Sequence, residues 1–149
     1  MRGLTVLGVL ATLAATASPA AQKSRYDYDA LGAEFCRLSV AGDLAGLRPL
    51  FTAELNRAID AAAANPATLP PRVLFQSYTN EVPECSAATR NAALVEIDRS
   101  KPGGAPPSWR EYLVIVPEAD GASRIDDVLF ATRRSDTLRA RLAYFAAAR

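Results

Sequence analysis

Few residues in this 149-residue chain can carry chemistry, and histidine is not among them. Its absence removes Ser-His-Asp and Cys-His nucleophilic sites and the commonest metal ligand. Two cysteines, Cys36 and Cys85, cannot supply the four N or S ligands of a structural zinc and do not form a Cys-x-x-Cys redox pair. Gly103-Gly104 lies in a proline-rich turn rather than between a strand and a helix, so it is no phosphate loop. No cofactor and no metal are expected.

Carboxylate and tyrosine chemistry remains. Asp126 and Asp127 are adjacent on a predicted strand, so their side chains take opposite faces. If Ile125 and Leu129 face the core, Asp127 goes with them. A carboxylate in an apolar pocket has a raised pKa and can act as a general base. Tyr112, with Tyr78 and Trp109 as alternatives, would then supply a donor opposite it, a proton-transfer site of isomerase or dehydratase type. Weighed against this, an Asp near a strand end more often caps a helix or pairs with an arginine, and Arg133, Arg134 and Arg139 follow closely. The structural role is the stronger expectation. Tyr78, Trp109, Tyr112 and Asp127 are therefore carried forward as residues lining a pocket, with Asp127 and Tyr112 as the catalytic alternative. Glu81 and Glu84 flank Pro83 in a loop expected to be solvated, and Tyr26, Tyr28, Phe35, Phe75 and Tyr78 read as core and rim packing.

These side chains need elements to position them. Leu31, Phe35 and Leu38 recur at helical spacing, with Gly42 as a stop and Asp43 as the cap of a short helix over 44–51, which Pro49 kinks or ends. Thr52 caps a helix over 53–65 that buries Leu55, Ile59 and Ala62 or Ala63, and Asn65-Pro66 ends it. A short strand is predicted over 72–79, and 80–90 reads as an irregular loop pinned by Cys85. Strands follow at 92–99 (Ala93, Val95 and Ile97 on one face), 109–117 and 123–132, the last two joined by a turn at 118–121. Asp136 is expected to cap a terminal helix, 137–148, with Leu138, Leu142 and Phe145 inward. Helices, an antiparallel meander and a closing helix make an α+β domain: N-terminal helices packed on a curved antiparallel sheet that forms a cone.

The first residues address compartment. Arg2 precedes an uncharged apolar run from Leu4 to Ala17, and Ser18-Pro19-Ala20 offers small residues at −3 and −1 of a cleavage site. A signal peptide over 1–20 is expected, cut after Ala20, with a cut after Ala17 as the competitor. The run is shorter than the ~20 residues of a bilayer span, so no stable span remains after cleavage. The single domain 21–149 is then periplasmic or secreted, and Cys36 and Cys85 are expected to pair. Losing Arg2, one of 17 basic residues, brings the charge into balance with 16 acidic ones. Without a basic stripe there is no footprint for nucleic acid.

The stretch Trp109-Arg-Glu-Tyr-Leu-Val-Ile-Val116, then Asp120-Gly121, then Arg124-Ile-Asp-Asp127-Val, followed by a helix containing Leu138-Arg-Ala-Arg-Leu142, resembles bacterial exported domains of the cystatin-like, nuclear-transport-factor-type (SnoaL-like) superfamily. The likeness covers mainly residues 92–142, and Ser123 stands where those domains usually carry an aromatic. The resemblance implies a curved sheet around helices with a cone-shaped cavity, and no particular activity. The leading expectation is an exported, non-enzymatic binding domain that takes a small apolar molecule or a protein partner through the cone. A homodimer is compatible with it. The alternatives are the proton-transfer enzyme and an inhibitor or immunity-type partner protein.

Overall fold

Three of the helices begin where a side chain satisfies one of their first free N–H groups. A computed structural model describes residues 26–78, 83–103 and 107–148; the leader expected over 1–20 lies outside these, as does Glu81. Helix α1 (Asp29–Ala41) ends on Gly42, whose φ of 73° is left-handed, and the next N–H, of Asp43, returns to Leu38 O at 2.9 Å. Asp43 Oδ1 then accepts from Gly46 N–H to start α2 (Leu44–Leu47), which a 3₁₀ turn containing Pro49 (Arg48–Leu50) closes. Thr52 Oγ1 accepts from Leu55 N–H and starts α3 (Ala53–Ala63). Thr137 Oγ1 does the same for α5 (Leu138–Ala147) through Ala140 N–H, so the cap is Thr137 and not Asp136.

The sheet is a four-stranded antiparallel meander in the order β1 (Glu84–Thr89), β2 (Leu94–Ser100), β3 (Trp109–Pro117), β4 (Ser123–Leu129). Two local expectations fail. Residues 71–74 form one helical turn, α4 (Pro71–Leu74), followed by irregular chain instead of a strand, because Pro70-Pro71 supplies a preset φ and no N–H for a ladder. Residues 84–89 form β1 instead of a loop. That strand has a single branched residue, Thr89, at its very end and no aromatic to announce it, and is held by pairing to β2 and by Cys36–Cys85, a disulfide between α1 and β1 with Cα atoms 5.4 Å apart.

One face of the sheet carries Val95, Ile97, Leu113, Ile115, Ile125 and Val128 into a core shared with Phe35, Phe51, Leu55, Phe75, Leu138 and Leu142. Helix α1 approaches β1 and β2 so closely that a Cβ on Gly32 would stand 2.5 Å from Ala87 Cβ and 2.8 Å from Val95 Cγ1. Phe75 sits between Phe35 and Phe51, with ring centroids 6.4 and 5.5 Å away.

The free edge of β4 is closed. Thr52 N–H donates to Ile125 O, Phe51 bridges Ile125, and Thr137 bridges Leu129. A register shift opposite Val114 and Ile115 leaves Asp126 as an extra residue in β4.

Candidate functional site

The bulge decides where the paired aspartates go. Val114 pairs with Asp127 and Ile115 with Ile125, so the buried positions of β4 are Ile125 and Val128, and Leu129 is only half-buried. The regular alternation that would carry Asp127 inward with Ile125 and Leu129 is interrupted. Asp127 takes the outward parity of Val114, and its Oδ1 accepts from Val128 N–H at 2.8 Å and from Arg139 N–H, in the first turn of α5, at 3.0 Å. Asp126 Oδ1 accepts from Thr52 Oγ1 at 2.9 Å and from the Arg139 guanidinium at 2.5 Å, while Arg139 Nε donates to Asp126 O. Both carboxylates thus lie where α3 and α5 present their N-termini, the end of a helix dipole that favours negative charge.

Tyr112 has outward parity too. It pairs with Glu96 and Leu129, making it a diagonal neighbour of Asp127 on the face away from the core. The two therefore do not oppose each other across an interior cavity. Tyr78 and Trp109 are brought together instead, edge to face with centroids 5.2 Å apart, at the opposite end of β3 from the bulge. Tyr78 is 48 % exposed.

Beneath that aromatic pair lies a group of charges that the reading of the sequence did not single out. Arg99 and Glu111 are 1 % and 0 % exposed and bonded, Nε to Oε2, at 3.1 Å. Glu111 Oε1 also accepts from Ser77 N–H (2.5 Å), Ser77 Oγ (2.7 Å) and Trp109 Nε1 (3.0 Å). Arg99 donates to Phe75 O at 3.0 Å and to Ser39 Oγ at 3.4 Å. Ser77 Oγ accepts from Ala131 N–H. The reason is local: residues 75–77, just past α4, are buried but belong to no helix or strand, so side chains must satisfy their backbone. Arg99 and Glu111 reach Phe75 and Ser77, and Arg141 donates to Leu74 O and Gln76 O at 3.2 and 2.7 Å. The signal was parity, because Arg99 shares a face with Val95 and Ile97, and Glu111 with Leu113.

Arg141 links this buried strap to the surface. Its guanidinium lies 3.6 Å over the Phe130 ring and is paired through two bonds of 2.8 Å with Asp136. That pairing, before any other contact, holds the Asp136 carboxyl below its ordinary range, and the Thr132 hydroxyl adds to it. The Asp136–Arg141 pair and Ser77 help to floor a surface groove of about 430 Å³ whose apolar walls are Leu69, Tyr144 and Phe145. Tyr144 is 70 % exposed, and Arg133 stands at the rim. Neither the Arg133 nor the Arg134 side chain makes a hydrogen bond or ion pair with another described residue.

No family model, curated protein or solved structure matches this chain. No helix among the described residues is long and apolar enough to cross a membrane, and no group of three or more acidic or cysteine residues there is placed to hold a metal ion.

Proposed function

We propose that this chain is an exported, non-enzymatic binding domain that takes an acidic, apolar-tipped segment of a partner protein in the groove beside α5. The observation that carries this reading is a contrast between inside and outside. The space between helices and sheet is occupied by Phe35, Phe51 and Phe75 and closed by the Arg99–Glu111 pair, whereas the groove beside α5 is open and edged by Arg133. Its apolar walls would take a side chain and the Arg133 guanidinium at its edge a carboxylate, the composition of many recognition grooves. The strap below, clamped by Arg99, Glu111 and Arg141, keeps the floor rigid, which reduces the ordering cost of binding.

Membership in the cystatin-like, nuclear-transport-factor-type superfamily belongs to the same proposal, supported by the order of helices, meander and closing helix. In that reading the space between sheet and helices is filled by core side chains. Export is supported by the disulfide, which fits a periplasmic or secreted location.

A photo-crosslinking amino acid at position 144, in cells exporting the protein, tests the reading. A discrete protein adduct is expected from position 144, absent from position 57 on exposed α3, and weakened by Arg133→Glu with Arg134→Glu. Equal adducts at both positions, or none, would refute it. A small molecule retained by the protein in native mass spectrometry, and displaced by Tyr144→Ala, would point to a small apolar ligand instead.

A further inference from the structure

The two edges of the sheet are treated very differently. The β4 edge is sealed by Phe51, Thr52 and Thr137 and bent by the Asp126 bulge. The β1 edge has regular register, no lysine, no bulge and no proline within Glu84–Thr89. These are the devices by which proteins keep an edge from pairing, and β1 lacks them.

Backbone directions follow from two bonds. Arg90 N–H donates to Leu94 O and Ile115 N–H to Ala93 O, so Leu94, Glu96, Asp98 and Ser100 turn their backbone groups toward β1. Their partners Ala88, Ser86 and Glu84 answer them, which leaves Cys85, Ala87 and Thr89 facing outward. Thr89 N–H is taken by Asp29 Oδ1 at 2.7 Å, and Pro83 has no N–H. The window between these stops is two residues long: the N–H and C=O groups of Cys85 and Ala87 meet no partner among the described residues.

We propose that this window pairs with its counterpart in a second copy of the chain, antiparallel, with Cys85 opposite Ala87 of the second copy and Ser86 on the two-fold axis. That register uses all four free groups of each copy and sets Pro83, which has no N–H, opposite Thr89 of the second copy, whose N–H is already taken, so no further bond is demanded there. Helix α1 runs antiparallel to β1, with Tyr28 at Thr89, Gly32 at Ala87 and Cys36 at Cys85. The same axis therefore lays α1 beside α1 of the second copy. The flank it presents there, Ala33, Arg37 and Val40, lines an open groove of about 770 Å³. Arg37 is bound to Glu34 at 2.6 Å, and antiparallel packing brings each Arg37 within a helical turn of Glu34 of the second copy. This charge pattern is self-complementary and favours a second copy over an unrelated strand. The result is one continuous eight-stranded sheet, an isologous two-fold dimer.

Ser86→Cys tests the register. Directly opposed residues of a non-hydrogen-bonded pair have Cα atoms about 4.5 Å apart, within disulfide reach. Ala88→Cys, on the same exposed face, would lie roughly 13 Å from its counterpart at about 3.3 Å per residue. Mild oxidation is expected to give a covalent dimer about tenfold faster from Ser86→Cys than from Ala88→Cys, with Cys36–Cys85 intact by peptide mapping. Adding Arg37→Glu to Ser86→Cys should slow the cross-link, and adding Glu34→Arg as well should restore it. Equal rates at 86 and 88, or a cross-link indifferent to both charge changes, would overturn the proposal. So would a wild-type chain that stays strictly monomeric by light scattering at every concentration.

Discussion

Glu111→Leu leaves a shape that fits the core and removes the partner of every donor that converges on that carboxylate. Arg99 stays buried without its counter-ion, and Ser77 N–H, Ser77 Oγ and Trp109 Nε1 lose their acceptor. Breaking a buried ion pair from one side costs about 3–5 kcal/mol. The decisive variant is the double one, Arg99→Met with Glu111→Leu. If the pair were only an ion pair, replacing both partners by apolar residues would be neutral or stabilising. Here Phe75 O, Ser77 N–H and Trp109 Nε1 would still be stranded, at about 1–3 kcal/mol for each one kept from water. The double variant is therefore expected to remain at least 2 kcal/mol less stable than wild type by that reckoning. Urea denaturation with the disulfide intact measures this, provided the slope m is unchanged. A double variant as stable as wild type would refute the argument that these charges serve the backbone of residues 75–77.

Three further expectations follow from single contacts. Gly32→Ala gains up to about 1 kcal/mol of helix propensity but forces a Cβ against Ala87 and Val95, which costs about 1–3 kcal/mol; a net loss in denaturation midpoint is expected. Asp136 has a depressed folded-state pKa through Arg141, so its stabilisation is full above the ordinary carboxylate range and fades as pH falls below about 4; Asp136→Asn should flatten that part of the stability–pH curve. Asp127→Ala should cost about 1 kcal/mol as the loss of a cap to α5, seen as faster amide exchange at Arg139, and an unchanged exchange rate there would contradict the capping role.

Sequence alone carried the elements whose signals are local. Thr52, Asp43 and Gly42 mark their helix boundaries because capping and left-handed turns depend on single residue types. The Trp109–Pro117 strand shows itself through a run of branched and aromatic residues. The pairing of Cys36 with Cys85 followed from an even cysteine count in a chain expected to be exported. Of the candidate site, Tyr78 and Trp109 were named separately as pocket-lining candidates, and only the fold set their rings edge to face.

What tertiary structure decided is whatever depends on parity and on distant partners. One extra residue at Asp126 turned Asp127 from an inward candidate into a helix cap, since a bulge reverses every face assignment beyond it. The strand at Glu84–Thr89 exists because β2 offers it a ladder, not because its own residues favour extension. Arg99 and Glu111 are buried where Phe75 O and Ser77 N–H, far from both in sequence, need partners outside any helix or strand. Sequence pattern reports how a residue relates to its near neighbours; which side of the sheet a residue faces, and what it must satisfy there, is set by chain that arrives from elsewhere.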